Sequence, residues 1–194
     1  MPNSLPEKES CEKTAAPSEH LVSSCEAYWH KMNSAGRCGV PVPAVSECFW
    51  ALVGSFAGIG IVTYLAFIQE IPVLVASLGA SACLIYGAPA APFAQPRNAI
   101  AGHILSAIIG VTVYQVAGCY WYTAALSVGI AVAAMVGTRT VHPPAGATAL
   151  IAVITRQDWL FPLMPVGVGI SILVVVGLLV NNLAAKRQYP NYWW

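Results

Sequence analysis

From Val45 to Val180 the chain carries only six charged side chains, Glu47, Glu70, Arg97, Arg139, Arg156 and Asp158. A stretch so poor in charge does not make a water-facing surface, because soluble domains have roughly a quarter of their residues as Asp, Glu, Lys or Arg. Charge crowds instead into the beginning of the chain, where Glu7, Lys8, Glu9, Glu12, Lys13, Glu19, Glu26, Lys31 and Arg37 all precede residue 45. The pattern predicts a polar tail over 1–44, a membrane domain over 45–183 and a short aromatic and basic tail over 184–194.

Six uncharged apolar runs divide the membrane domain: Phe49–Ile68, Ile71–Tyr86, Ala99–Cys119, Trp121–Thr138, Val141–Ile154 and Leu160–Val180. A hydrocarbon core of about 30 Å takes roughly 20 helical residues. The second and fifth runs fall short of that. Both carry a related tetrapeptide, Gly79-Ala80-Ser81-Ala82 and Gly146-Ala147-Thr148-Ala149. The order long, short, long therefore occurs twice, with halves of about 45–119 and 120–183. The expected fold is an all-α integral membrane protein of six helical elements, a 3+3 repeat of inverted topology. The alternative is four full spans with the two short runs as re-entrant segments.

The distribution of Lys and Arg favours six crossings. With the N-terminus inside, Lys31, Arg37, Arg97, Arg139, Lys186 and Arg187 fall on one side and Arg156 on the other, as the positive-inside rule asks. Both termini are then expected on the cytoplasmic side. Aromatic residues mark the interfaces: Phe49 and Trp50, then Tyr120, Trp121 and Tyr122, then Tyr189, Tyr192, Trp193 and Trp194. Trp29, between Tyr28 and His30, suggests a short interfacial helix before the first span. The acidic, polar start reads as neither a signal peptide nor a transit peptide, so the later spans are expected to drive insertion.

Several function classes recede. A net charge of +1 offers no basic stripe for nucleic acid. The six cysteines, at 11, 25, 38, 48, 83 and 119, form no C-x-x-C pair, and His103 and His142 have no carboxylate or thiol neighbours, so neither a metal nor another cofactor is expected. Hydrolase and phosphate-loop motifs are missing and acids are scarce, which argues against an enzyme. Gly54 and Gly58 have the G-x-x-x-G spacing of close helix packing.

The candidate site lies where the short runs begin. Pro143 and Pro144 suit a first helical turn, so a helix is expected to start inside the membrane and to offer the amides of Ala145 and Gly146 to an anion. Gly146 permits close approach and Thr148 adds a hydroxyl; Gly79 and Ser81 hold the matching places in the second run. Substrate contacts are thus expected from Gly79, Ser81, His142, Pro143, Pro144, Gly146 and Thr148. Arg97 and Arg139 are candidates to guard access, Asn98 to cap the third helix, and His103 to hold a hydrogen bond or pass a proton. Arg156 and Asp158 read as a solvated loop pair.

The stretch Gly79-Ala80-Ser81-Ala82, Gly87-Ala88-Pro89, Gln95-Pro96-Arg97-Asn98 with Gly102-His103, and then His142-Pro143-Pro144 followed by Ala145-Gly146-Ala147-Thr148-Ala149, resembles the HPP family of integral membrane proteins. Tyr28-Trp29-His30-Lys31-Met32 is similar to that family's lead-in to its first span. The resemblance covers roughly residues 28–180. It implies transport, because members in chloroplasts and cyanobacteria are implicated in nitrite movement. The family is usually described with four spans, against six counted here. The expected function is a passive or proton-coupled transporter or channel for a small inorganic anion, most closely nitrite. Its partners are the lipid bilayer and that anion, and the sequence leaves open a homo-oligomer. The rival readings are a carrier of an uncharged solute and a non-transporting membrane subunit or sensor.

Overall fold

A computed structural model describes residues 43–70 and 75–193. The tail up to residue 42, with Trp29 and three of the cysteines, lies outside the described residues, as do 71–74 and Trp194. Among the described residues six α-helices follow one another: α1 Val45–Phe67, α2 Ser77–Gly87, α3 Pro96–Ala117, α4 Trp121–Gly137, α5 Pro143–Ile154 and α6 Val168–Leu183. A short 3₁₀ turn, Pro92–Ala94, leads into α3. A wider π turn, Pro162–Gly167, leads into α6 and is broken at Met164, whose backbone is extended (φ −136°, ψ 119°). Three segments, Val45–Phe67, Pro96–Ala117 and Pro162–Leu183, are long and apolar enough to cross a membrane. The second and fifth helices are short, at 11 and 12 residues.

Local chemistry sets the boundaries. Pro96 and Pro143 open α3 and α5, where a missing N–H costs no helical bond. Thr123 Oγ1 accepts the Tyr120 amide at 2.9 Å and closes the start of α4. The ends of α4 and α5 share one device. Thr140 N bonds Met135 O and Arg139 N bonds Val136 O, while Gln157 N bonds Ala152 O and Arg156 N bonds Val153 O. Arg139 and Arg156 each take the left-handed backbone such a C-cap needs (φ 57° and 55°). Each also sets a cation beside a negative helix end.

Every helix reverses the direction of the one before it. Arg187 joins Glu47 at the start of α1 to Tyr86 at the end of α2, and Tyr189 reaches Ala94 just before α3. Arg97, at the start of α3, meets Thr138 at the end of α4. These contacts gather the starts of α1, α3 and α5 with the ends of α2, α4 and α6 at one end of the bundle. α2 thus ends, and α5 begins, on the side of the bundle where α1 and α3 begin, an order that six crossings give and re-entrant segments do not. Packing repeats with the order: α1 lies on α2 and α6, as α4 lies on α5 and α3, and α3 lies on α5 as α6 lies on α2.

The core is built from small and β-branched residues, with Leu78, Ile85, Ile170, Leu173 and Val174 among the buried set. The groove over Gly54 and Gly58 does not bring two backbones together. It holds the ring of Tyr86, whose hydroxyl donates to Leu173 O at 2.9 Å. A Cβ on either glycine would strike that ring. Large apolar side chains face outward instead, among them Phe56, Trp121, Val116 and Leu183, as a lipid-facing surface allows.

Candidate functional site

The first turns of α2 and α5 meet inside the bundle. Ser77, the first residue of α2, places its hydroxyl 2.8 Å from that of Thr148, one and a half turns into α5. One turn further along α2, Ser81 Oγ lies 2.9 Å from Nε2 of His142, the residue that precedes α5. The two helices therefore overlap head to head, antiparallel. α3 runs beside them and inserts His103 between their hydroxyls. His103 Nε2 is 2.7 Å from Ser81 Oγ and its Nδ1 is 2.8 Å from Thr148 Oγ1. Ser81 and Thr148 are the repeat-related hydroxyls of the two tetrapeptides, so the repeat supplies both partners of one imidazole.

The direction of each bond follows from its last acceptor. His142 Nδ1 lies 2.7 Å from Phe93 O, and a carbonyl only accepts, so that nitrogen carries a proton. In the neutral ring Nε2 then accepts, and the Ser81 hydroxyl donates to it. Ser81 Oγ in turn accepts from His103 Nε2, leaving Nδ1 of His103 to accept from Thr148, whose oxygen accepts from Ser77. One continuous chain results, from Ser77 through Thr148, His103, Ser81 and His142 to the Phe93 carbonyl. All five side chains are buried, and among the described residues no buried side-chain nitrogen or oxygen lacks a partner. An unmatched polar group there would cost about 1–3 kcal/mol, which explains why so apolar a bundle holds these groups only as a closed set.

The surroundings fix the two rings. Gly102 lets His142 tuck against α3, since a Cβ there would stand 3.0 Å from His142 Cβ and 2.9 Å from Thr140 O. Asn98 Nδ2 donates to Val141 O at 2.9 Å and holds the irregular segment before His142. The imidazoles sit with centroids 5.0 Å apart at 57°. No group of three His, Cys, Asp or Glu converges among the described residues.

Comparison with known proteins places the membrane domain in a family. The family described as HPP, transmembrane region, matches residues 40–190, most of the chain and all six helices. The chain belongs to the HPP family. Two transmembrane proteins of Dictyostelium discoideum are each 40% identical to it, over 167 and 168 residues. Both alignments cover 79% of this chain, and 58% and 54% of those relatives. The chain thus spans little more than half the length of the relatives it matches. No solved structure matches.

The HPP residues themselves divide. His142 is wholly buried in the hydrogen-bond chain, Pro144 is buried and Pro143 is exposed. Ser81, His142 and Thr148 come together, and His103 joins them at the centre, where it holds two hydrogen bonds. Gly146 is buried close to the junction, whereas Gly79 faces outward with no atom within 4 Å of where its Cβ would be. Asn98 does not cap α3; Gln95 precedes that helix, and its amide donates to Pro89 O and Ala91 O. Arg97 is half-buried and reaches Thr138 O at 3.4 Å, and Arg139 is exposed at the same end.

The expected cradle of free amides is not formed. Of the two amides expected there, that of Ala145 is already bonded to His142 O at 2.9 Å. At α2, Leu78 N and Gly79 N bond Val75 O and Ala76 O. Side chains fill the place assigned to backbone. Ser77 was missed, although its position one turn before Ser81 puts both hydroxyls on one helix face.

A second network also escaped the sequence reading. Arg187, taken there as an orientation charge, is almost fully buried. It bonds Glu47 Oε2 at 2.8 Å, Glu47 O at 2.6 Å, Tyr86 O at 2.9 Å and Asn181 Oδ1 at 3.1 Å. Tyr189 donates to Ala94 O at 2.9 Å, and burial pushes its phenol up from the ordinary tyrosine range. The C-terminal tail thereby clamps the ends of α1, α2 and α6.

Proposed function

We propose that this membrane protein transports a small inorganic anion, with nitrite as the first candidate, through the junction of α2, α3 and α5. The observation that carries the reading is the closed Ser77–Thr148–His103–Ser81–His142 chain inside an otherwise apolar bundle. Polar groups in such a place are costly, and they commonly mark a solute or ion pathway. Paired short helices in matching places of two inverted halves are a further pointer to a transport site. The HPP resemblance supplies nitrite as the substrate to try first.

In this reading the described structure is an occluded form. Imidazole N–H and hydroxyl groups now bonded to one another become the donors that meet the anion when α2 and α5 part. Among the described residues, Arg97, Arg139, Lys186 and Arg187 gather at the end where α3 and α5 begin, against Arg156 alone at the other. By the positive-inside rule, the reading takes the first end, with the C-terminal tail, as the cytoplasmic one. Arg97 and Arg139 there raise the local concentration of anions before entry.

Proteoliposomes holding the purified chain test the proposal. Nitrite uptake should exceed that of empty vesicles and fall to their level in the His103→Leu, His142→Leu double variant. Uptake unchanged in that variant, with the protein still folded, places the pathway elsewhere. A second reading, transport of an uncharged solute, draws on the neutrality of the matched junction. Vesicle swelling in a gradient of a small neutral solute, without nitrite uptake, would select it.

A further inference from the structure

We propose that the His103–Ser81–His142 group takes up one proton with each anion, making the carrier an electroneutral proton–anion symporter. The inference rests on the transport reading above and specifies its coupling.

The geometry provides two hydrogen-bonding states that differ by one proton and one hydroxyl rotation. In the first, Ser81 donates to His142 Nε2, as derived above. Ser81 Oγ also lies 3.2 Å from Ser77 O, a carbonyl one turn earlier on its own helix. A proton arriving from water forms an N–H bond at His142 Nε2. The Ser81 hydroxyl then turns to Ser77 O, and its oxygen accepts from both histidines, at 2.9 Å from His142 and 2.7 Å from His103. No heavy atom has to move and no donor loses its acceptor. On release the same N–H breaks and its proton returns to water. A serine at this point is both donor and acceptor, and an i−4 carbonyl is the partner a helical serine ordinarily finds.

Among the described residues, the charge so placed has no counter-ion. On α1 the ionisable groups are Glu47, held by Arg187 at the bundle end, Cys48 and Tyr64. Cys83 on α2 is exposed, and Tyr86 is committed to Leu173 O. α3 adds Arg97 at its start and Tyr114 near its far end; α4 adds Tyr122, exposed. The rest of α5 and all of α6 have none. Glu70 and Asp158 lie in loops. An imidazolium deep in such a slab is costly alone, so its neutralising partner is the ligand. That requirement selects a monovalent anion and ties proton to anion in one step. A carrier built to exchange them would need a carboxylate at the junction to hold the proton when the anion leaves.

The test uses liposomes containing the purified chain, an internal pH dye and potassium with valinomycin to clamp the potential. Nitrite is added outside, and its uptake and internal pH are recorded together, with empty vesicles subtracting permeation of the free acid. The expected result is one proton entering per nitrite, at a rate independent of the clamped potential. Ser81→Ala should bring both signals to the empty-vesicle level, and Ser81→Thr, which keeps the hydroxyl, should restore them. Nitrite uptake without acidification, slowed by an inside-negative potential, overturns symport and leaves the transport reading standing. Coupled uptake that persists in Ser81→Ala overturns the assignment to these residues. No uptake above empty vesicles removes the transport reading and symport with it.

Discussion

The junction of α2, α3 and α5 and the clamp around Arg187 are both buried hydrogen-bond networks, yet they are built from different kinds of partner. The clamp pairs a donor-only guanidinium with acceptors: the carbonyls of Glu47 and Tyr86, the Glu47 carboxylate and the Asn181 side-chain oxygen. Such a set has a single arrangement. Every side chain at the junction can both donate and accept, and only the Phe93 carbonyl gives the chain a direction. The difference teaches where each network belongs. The first closes one end of a bundle and has no second state to adopt, while the second can pass between states without unfolding anything.

Removal of the clamp should have the largest effect on stability. Arg187→Ala strands two backbone carbonyls, the Asn181 side-chain oxygen and one carboxylate, and is expected to cost about 3 kcal/mol. That is the low end for a broken buried pair, because Glu47 keeps contact with water. Chemical denaturation in detergent measures it, and flux per folded molecule should stay near that of the parent. Arg187→Lys should recover little, since a point charge does not serve several acceptors at once. A clamp variant that is stable but inactive would erase the contrast drawn here.

At the junction the balance reverses. Thr148→Val keeps the shape but leaves His103 Nδ1 and Ser77 without a partner, at a cost of about 1 kcal/mol in a bilayer setting. Its flux should nonetheless fall to background, because the hydroxyl set is the pathway. Full flux in this variant would make the hydroxyls structural. Gly79→Ala should do least. Gly79 stands at the repeat position of Gly146 but faces outward into open space, so neither melting temperature nor flux should change measurably. A large loss of flux would return Gly79 to the site.

That glycine also shows how far the sequence could be read. The six elements, the short pair and the start of α5 at Pro143 were legible, because charge depletion, run length and proline placement act locally. Repeat-related Ser81 and Thr148 were legible as a pair for the same reason. Inward and outward faces were not. In a helix that is apolar all round, periodicity does not say which side meets protein and which meets lipid, so identical Gly-Ala pairs gave no warning that Gly79 and Gly146 point differently. Asn98 looked like a cap because its position near a helix start was visible, whereas its partner Val141 lies 43 residues away. Arg187 was counted as a loop charge for want of any sign that Glu47 and Tyr86 would close around it. His103 needed the third dimension to become the centre of the site.

The central claim is that the matched junction opens to water during transport. Ser81→Cys in a background without other cysteines offers the most direct measurement, by its rate of reaction with a small, charged thiol reagent in membranes. The account predicts slow but measurable labelling that nitrite alters, while Ala107→Cys, in the packed core, stays unreactive. A cysteine at 81 as inert as one at 107, in a variant shown to be folded, would contradict the claim.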